Sequence, residues 1–179
     1  MEKAKLEEFN PWWINKTVDL ELALPFKRDL FLEAERHINK RFITALTGLR
    51  RVGKTTIIYQ LIQKLILEKT PPSNILFFSF DETSVKFSEL LETYKEFHSK
   101  NFREEKVYVF LDEIQKYVGW ENELKKYYDL YPKLKFVISG SESLFIKKKT
   151  KESLAGRIFE FILTPFTFKE FLKFNNVSE

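Results

Sequence analysis

The 179-residue sequence has no cysteine and only two histidines, His37 and His98. Disulfides, thiolate metal sites and cysteine nucleophiles are therefore excluded, and two histidines are too few for a histidine-rich metal site. Glycine and proline are also scarce, at five and six residues, so the composition is neither fibrous nor that of a disordered chain. Any metal that the protein binds is expected to be Mg²⁺ held by oxygen ligands.

Long apolar segments are also missing from the sequence. No apolar run approaches the ~18 residues of a membrane span, and the charged start at residues 1–8 lacks the apolar stretch of a secretory signal. We therefore expect a cytoplasmic protein with no membrane span. The excess of positive charge is small, a net +4. It favours anionic ligands but falls short of a nucleic-acid-binding signature.

What the sequence does contain is an alternation of short apolar runs, rich in Phe, Ile and Val, with longer stretches of helical period. This alternation predicts an α/β fold whose strands are buried on both faces of a parallel sheet. The predicted strands are 42–47, 75–80, 107–111, 135–139 and 158–163. The predicted helices are 29–39, 55–68, 87–98 and 120–131, with an aromatic-rich helix over 166–174.

The two ends of the chain flank this α/β unit. Residues 1–28 lack a clear period and are interpreted as an extension that packs on a core formed by residues 29–179. The aromatic residues Phe9, Trp12 and Trp13 of the extension either pack on the core or stack on a nucleotide base. The aromatic C-terminal helix indicates either a chain that is truncated at its C-terminus or a partner that covers this helix.

The segment from Gly48 to Thr55 fits the phosphate-loop pattern G-x-x-x-x-G-K-[ST] and lies between a predicted strand and a predicted helix. Backbone N–H groups of such a loop converge on phosphate oxygens, and the start of the helix adds its positive end. Lys54 adds a point charge for the β- and γ-phosphates, and the Thr55 hydroxyl is a candidate Mg²⁺ ligand. The expected ATP-binding residues are Gly48, Leu49, Arg50, Arg51, Val52, Gly53, Lys54, Thr55 and Thr56.

A second chemical segment is the apolar run 107–111 followed by two carboxylates, Asp112 and Glu113. Ligands of an α/β sheet gather beyond the carboxyl ends of the strands, so an Asp at a strand end faces the phosphate loop. We expect Asp112 to hold Mg²⁺, directly or through water. Glu113 is placed to orient or deprotonate a water in line with the γ-phosphate. The two segments together have the form of Walker A and Walker B elements.

Further polar residues are candidates for the same site. Ser139 or Ser141, where the fourth strand ends, is expected to hydrogen-bond the γ-phosphate or the attacking water. Arg157, just before the fifth strand, either reaches phosphates of its own or an adjacent subunit or forms a structural salt bridge. Of the loop arginines Arg50 and Arg51, either one contacts phosphate or both pair with acidic residues elsewhere. The lysine-rich run 147–151 is interpreted as a solvated charge cluster or a nucleic-acid contact.

With these residues in place, the sequence resembles the AAA+ superfamily, and within it a group of archaeal and bacterial ATPases whose AAA+ core is usually followed by a separate C-terminal domain. The resemblance covers nearly the whole chain. It rests on the segments Asn10-Pro11-Trp12-Trp13, Arg28-Asp29-Leu30, 48–56, 111–115, Trp120-Glu121, Ser139-Gly140-Ser141, 154–157 and 163–171.

The resemblance implies a P-loop NTPase fold, with a five-stranded parallel sheet in the order 5-1-4-3-2 between helices and ATP at its carboxyl edge. It implies the roles given above for Lys54, Thr55, Asp112 and Glu113, and a sensor role for one of the two serines. It also makes Arg157 a candidate arginine finger at a homo-oligomer interface. The sequence ends where relatives begin a helical lid, so weak nucleotide affinity and turnover are expected.

Two functions of different classes fit these features. The first is a Mg²⁺-dependent ATPase that converts ATP to ADP and so moves an attached domain or a neighbouring subunit. The alternative is a nucleotide-gated module with little turnover, in which bound ATP controls DNA or protein binding. A phosphoryl-transferring kinase fits less well, because a Glu after the Walker B Asp suits water activation and no acceptor pocket is evident.

Overall fold

The structure, a computed structural model, describes residues 2–81, 85–141 and 153–177; the lysine-rich run 147–151 lies outside them. Its strands are β1 (Ile43–Gly48), β2 (Ile75–Ser79), β3 (Val107–Asp112), β4 (Leu134–Gly140) and β5 (Ile158–Leu163). Its helices are α1 (Lys3–Phe9), α2 (Trp12–Asn15), α3 (Asp29–His37), α4 (Lys54–Leu67), α5 (Phe87–Phe97), α6 (Trp120–Leu130) and α7 (Phe168–Phe174), with 3₁₀ turns at Pro72–Asn74 and Ile114–Lys116.

The five strands form one parallel sheet in the order β2-β3-β4-β1-β5. This confirms the α/β class and the predicted order, which is the same order read from the other edge. Each predicted strand lies within one residue of its observed ends. The expectation that every strand is buried on both faces is wrong for β5, where Phe159 is 42% and Ile162 56% exposed. As an edge strand, β5 pairs with β1 alone in the described chain.

Helices cover both faces of the sheet. Successive strand residues point to opposite faces, so each face carries apolar side chains that the helices bury. On one face Val109 and Ile138 pack in a cluster with Leu90 of α5 and Leu124 of α6. On the other face the neighbouring strand residues form a second cluster with α3 and α4. In the described parts of the chain, no helix has the length and apolar character needed to cross a bilayer.

The N-terminal segment covers the outer edge of β2. The Asn10 amide accepts a hydrogen bond from the Phe77 N–H at 2.7 Å and donates to the Phe77 carbonyl at 2.9 Å. The indoles of Trp12 and Trp13 both donate to the Ile75 carbonyl, at 3.3 and 2.8 Å. These side chains satisfy edge groups that would otherwise be free to pair with another strand. Trp12 is fully buried and Phe9 packs against the core, so these aromatic residues pack on the domain.

The C-terminal helix α7 begins two residues later than predicted. The Thr167 hydroxyl accepts from the Glu170 N–H, and the Glu170 carboxylate accepts from the Thr167 N–H at 3.0 Å. This capping box satisfies two donors at the start of the helix and so defines its first turn. The aromatic residues at 166 and 168 alone do not indicate this boundary.

Candidate functional site

The phosphate loop joins β1 to α4 at the carboxyl edge of the sheet. Its backbone adopts left-handed φ angles at Arg51 (64°) and Gly53 (98°), which glycine tolerates more readily than other residues. At Gly48, the requirement for glycine is a close approach to β5: a Cβ there would lie 2.2 Å from the Leu163 carbonyl oxygen. Gly48 is therefore needed for the close packing of β1 against β5.

Lys54 and Thr55 occupy the first turn of α4. The Lys54 side chain is only 5% exposed, and its ammonium donates to the carbonyls of Gly48 at 3.1 Å and Leu49 at 2.8 Å. The loop backbone thus curves around the Lys54 ammonium, and these two hydrogen bonds hold the ammonium inside the curve. The Thr55 hydroxyl donates to the Asp112 carboxylate at 2.8 Å. The structure therefore joins the phosphate-loop helix directly to the end of β3.

Asp112 is the last residue of β3 and is buried. One carboxylate oxygen accepts from Thr55 and the other from the Ser139 hydroxyl. Burial raises the pKa of Asp112, whereas the hydrogen bonds from Ser139 and Thr55 act in the opposite direction. A carboxylate beside a hydroxyl, both hard oxygen donors, suits Mg²⁺, which binds few protein ligands and completes its shell with water and phosphate. Among the described residues there is no cluster of three or more acidic or histidine side chains for a fully protein-held metal.

Glu113 follows at the turn out of β3 with a left-handed φ of 51°. Its N–H donates to the Ser139 hydroxyl at 3.2 Å. Ser139 is fully buried at the end of β4 and so contacts both acidic residues. Ser141 lies just beyond β4 and is partly buried. The structure thus brings Ser139 into the predicted site, beside the Asp112 carboxylate and the Glu113 backbone N–H.

A polar cavity of about 460 Å³ opens above the phosphate loop. It is lined by Arg50, Arg51, Gly53, Lys54, Thr55, Thr56, Asp81, Glu113 and Lys116. The sequence interpretation missed Asp81 and Lys116, which form an ion pair with each other. Asp81 closely follows the carboxyl end of β2, so the rule that ligands gather at strand ends was the available signal.

A second, largely apolar cavity of about 420 Å³ adjoins the first, and Arg51, Gly53 and Thr56 line both. Its other lining residues are Leu24, Pro25, Phe26, Arg28, Val52, Ile57, Gln60, Pro165, Phe166 and Phe174. The buried Gln60 amide of α4 shapes its wall by donating to the carbonyl of Phe26 at 2.8 Å. The sequence interpretation missed this cavity, because segment 24–28 has no periodic pattern and residues 165–174 are far away in sequence.

Arg28 closes one end of this apolar cavity. Its guanidinium makes a two-point ion pair with the Glu170 carboxylate, at 2.9 and 2.7 Å. It also donates to the carbonyls of Val52 at 3.2 Å, Thr164 at 2.7 Å and Pro165 at 3.3 Å. The ion pair lowers the pKa of Glu170 to about 2. One buried arginine thus links the phosphate loop, the end of β5 and helix α7.

Arg157 lies away from its own phosphate loop. β5 and β1 are parallel and in register, with Ile158 beside Ile43 at the amino edge and Leu163 beside Gly48 at the carboxyl edge. Five residue steps separate those edges, about 16 Å at ~3.3 Å per residue. The guanidinium donates to the Asp129 carboxylate at 2.9 Å. The interpretation that Arg157 reaches phosphates of its own chain therefore does not fit, and in this structure Arg157 forms a salt bridge.

Comparisons with known proteins show which family the chain belongs to. An AAA domain family model matches residues 40–172. Two uncharacterized proteins of Methanocaldococcus jannaschii are similar: one is 34% identical over 149 residues, covering 82% of this chain and 30% of the relative, and one is 31% identical over 138 residues, covering 75% and 29%. An uncharacterized protein of Haemophilus influenzae is 28% identical over 141 residues, covering 76% of this chain and 34% of the relative.

The chain spans about a third of the length of these curated relatives. Among solved structures, C. elegans PCH-2 is similar with a TM-score of 0.48 and 20% sequence identity, over 89% of this chain and 47% of that chain. The family match covers most of the sequence and includes β1 to β5 with the phosphate loop. The chain therefore belongs to the AAA domain family of AAA+ P-loop ATPases.

Proposed function

We propose that this protein is a Mg²⁺-dependent ATPase module. The observation that carries the proposal is the convergence of Lys54, Thr55, Asp112 and Glu113 beside one phosphate loop, with the Thr55 hydroxyl 2.8 Å from the Asp112 carboxylate. A buried cation, a hydroxyl and two carboxylates at a helix N-terminus match the charge distribution of a triphosphate and its metal. Membership of the family supports nucleotide binding, and hydrolysis of the bound ATP is the part that we propose.

In this proposal, the Lys54 ammonium exchanges its contacts with the loop carbonyls for contacts with the β- and γ-phosphates. Arg50 and Arg51, which line the polar cavity, add positive charge to the same side of the triphosphate. Thr55 and Asp112 would hold Mg²⁺, which when bound neutralises developing charge on the phosphate oxygens. The two hydrogen bonds on Asp112 orient its carboxylate for that purpose.

Glu113 is the proposed general base, because it lines the cavity one residue beyond Asp112. It accepts the proton of the attacking water and so increases the nucleophilicity of the water oxygen toward the γ-phosphate. Ser139, or alternatively Ser141, is the sensor that hydrogen-bonds the γ-phosphate or that water. Ser139 is favoured by its contacts with both Asp112 and the Glu113 N–H. These contacts would pass a change at the phosphate to the Asp112 carboxylate and to the backbone that carries Glu113.

The apolar cavity is the proposed position of the nucleotide base. It adjoins the polar cavity through Arg51, Gly53 and Thr56, so a base and a triphosphate of one nucleotide can occupy the two together. Its walls are predominantly apolar, as base-binding pockets require. The segment around Leu24 to Phe26 thereby takes part in nucleotide binding, although it lies in the proposed extension 1–28 and not in the core 29–179.

The proposed output of the cycle is movement of an attached domain or of a neighbouring subunit. A homo-oligomer through the edge that carries Arg157 would bring this arginine to a second copy's phosphates, where an arginine finger acts in trans. The alternative function is a nucleotide-gated module with little turnover that binds DNA or protein. Turnover stimulated by assembly favours the first function. Target binding that depends on ATP but not on its hydrolysis favours the second.

The test is phosphate release from ATP with Mg²⁺ and with an excess of chelator. We expect Mg²⁺-dependent release by the native chain. At subsaturating ATP, Lys54→Ala should release phosphate at least about tenfold more slowly, because each charge-assisted phosphate contact contributes about 1.5 to 3 kcal/mol, or roughly ten- to a hundredfold in affinity. Lys64→Ala is the matched control, since Lys64 is on the same helix but pairs with Glu35 and Glu68. Equal release by native chain, Lys54→Ala and buffer would refute the proposal.

A further inference from the structure

Gln115 contacts the carboxylate of Glu113 from outside the polar cavity. Its side-chain amide N–H donates to Glu113 Oε2, and it does not line the cavity that Glu113 lines. The left-handed backbone at Glu113 and the 3₁₀ turn Ile114–Lys116 that follows it fold the chain back over two residues. This local turn is what allows positions 113 and 115, so close in sequence, to meet through their side chains.

The partial burial of Gln115 indicates that this contact is not a chance surface encounter. Its Oε1 atom is buried and has no hydrogen-bond partner among the described residues. A buried polar atom without a partner costs free energy, and a side chain that pointed into solvent would avoid that cost. The Gln115 amide is thus held in a position where its Oε1 lacks a partner among the described residues while its N–H contacts Glu113.

A neutral donor suits the task of holding a general base. Glu113 has three rotatable side-chain bonds, and a hydrogen bond to one carboxylate oxygen restricts them. Because an amide carries no charge, it orients the carboxylate without cancelling the negative charge that attracts a proton. The nearest cation in the same turn, Lys116, is instead paired with Asp81. Oε1 of Glu113 is then the oxygen left to accept a proton from water.

We propose that Gln115 is a positioning residue that fixes the Glu113 carboxylate for activation of the attacking water. This inference rests on the proposed ATPase function. It predicts that loss of the amide lowers kcat and leaves nucleotide binding intact, since Gln115 lies outside the cavity. Because a hydrogen bond to a charged group is lost, we expect kcat to fall about tenfold.

The experiment compares Gln115→Met and Gln115→Glu with the native chain. Both substitutions retain the length of the side chain and remove the N–H donor. We expect kcat to fall about tenfold in Gln115→Met, and further in Gln115→Glu, with the Kd for MgATP changed less than about threefold. Gln63→Met is the matched control, because Gln63 accepts from the Val18 N–H on the outer side of α4. Its kcat should equal that of the native chain.

A double substitution separates positioning from a general structural effect. If Gln115 acts through Glu113, Gln115→Met should cause no further loss of single-turnover rate in a Glu113→Gln background. A native chain whose turnover depends on Glu113 but is unchanged in Gln115→Met would overturn this inference alone. So would equal, additive losses in both backgrounds. A native chain with no turnover would overturn the proposed function and this inference with it.

Discussion

Replacement of Arg28 by methionine removes the buried guanidinium that joins the phosphate loop to helix α7 and leaves its acidic partner in place. In the native chain this guanidinium makes two hydrogen bonds to Glu170 and three to backbone carbonyls. Methionine fills a similar volume but carries no donor. The variant therefore contains a buried carboxylate without a cation and three carbonyls without that donor, a situation that costs more than the loss of an exposed pair.

The size of the effect follows from the acidity of Glu170. Its pKa falls from 4.5 to about 2 in the folded chain, chiefly because of the hydrogen bonds from Arg28. At about 1.4 kcal/mol for each pKa unit, this corresponds to about 3 kcal/mol of stability. Breaking a buried ion pair by removing one partner costs about 3 to 5 kcal/mol. We therefore expect Arg28→Met to lower the free energy of unfolding by about 3 kcal/mol at pH 7.

Urea unfolding at several pH values measures this loss. Because the folded pKa of Glu170 lies below the unfolded one, its stabilisation is fully present above about pH 4.5 and disappears as the pH falls through about 2. The difference between native chain and Arg28→Met should therefore narrow over that range. The matched control is Lys173→Met, which removes the exposed ion pair between Lys173 and Asp29 and should cost less than about 1 kcal/mol.

A double-mutant cycle with Glu170→Gln isolates the pair. Once Arg28 has been replaced, the second substitution removes a buried charge that has no partner, so the double variant should lose at least about 1 kcal/mol less than the sum of the single losses. If Arg28→Met costs no more than Lys173→Met, or if the losses simply add, the ion pair does not stabilise the fold as argued.

Two further predictions concern other parts of the molecule. Burial lowers the pKa of His98 to about 4, so the free energy of unfolding of the native chain should decrease as the pH falls from 6.5 toward 4. In urea unfolding, His98→Phe should make this decrease smaller by about 1 to 2 kcal/mol. An equal decrease in the variant and the native chain would contradict the prediction. If Arg157 acts in trans, a mixture of Arg157→Ala and Glu113→Gln under assembling conditions should release phosphate from ATP faster than either variant alone. A mixture that is no faster would contradict this role and would indicate that Arg157 only forms its salt bridge to Asp129.

The parts of the structure that follow local patterns were predictable from the sequence. Short β-rich runs defined all five strands within one residue, and the spacing from Gly48 to Thr55 located the phosphate loop. The order of the strands came from the resemblance to a family, because periodicity alone does not determine which strands are neighbours. Within the site, the position of Asp112 at a strand end was enough to expect its contact with the phosphate-loop helix.

The features that the sequence did not reveal depend on contacts between distant residues. Arg28 and Glu170 are 142 positions apart, and no local pattern indicates that they pair. The Asn10 amide, which pairs with the N–H and carbonyl of Phe77 at the edge of β2, has no periodic signal either. A single side chain makes both hydrogen bonds here, so no repeated pattern marks it. The placement of Arg157 at the amino edge required the register of β5 beside β1, which only the assembled sheet provides.

In the proposed mechanism, Glu113 activates the attacking water and does not contribute to nucleotide binding. The most direct test measures the Kd for MgATP and the rate of phosphate release on the same preparation of Glu113→Gln, because the amide retains the shape of the side chain and removes the base. We predict an affinity within about threefold of the native chain and a rate lower by roughly 10²- to 10⁴-fold. Native turnover in Glu113→Gln, or loss of MgATP binding with it, would contradict the assigned role.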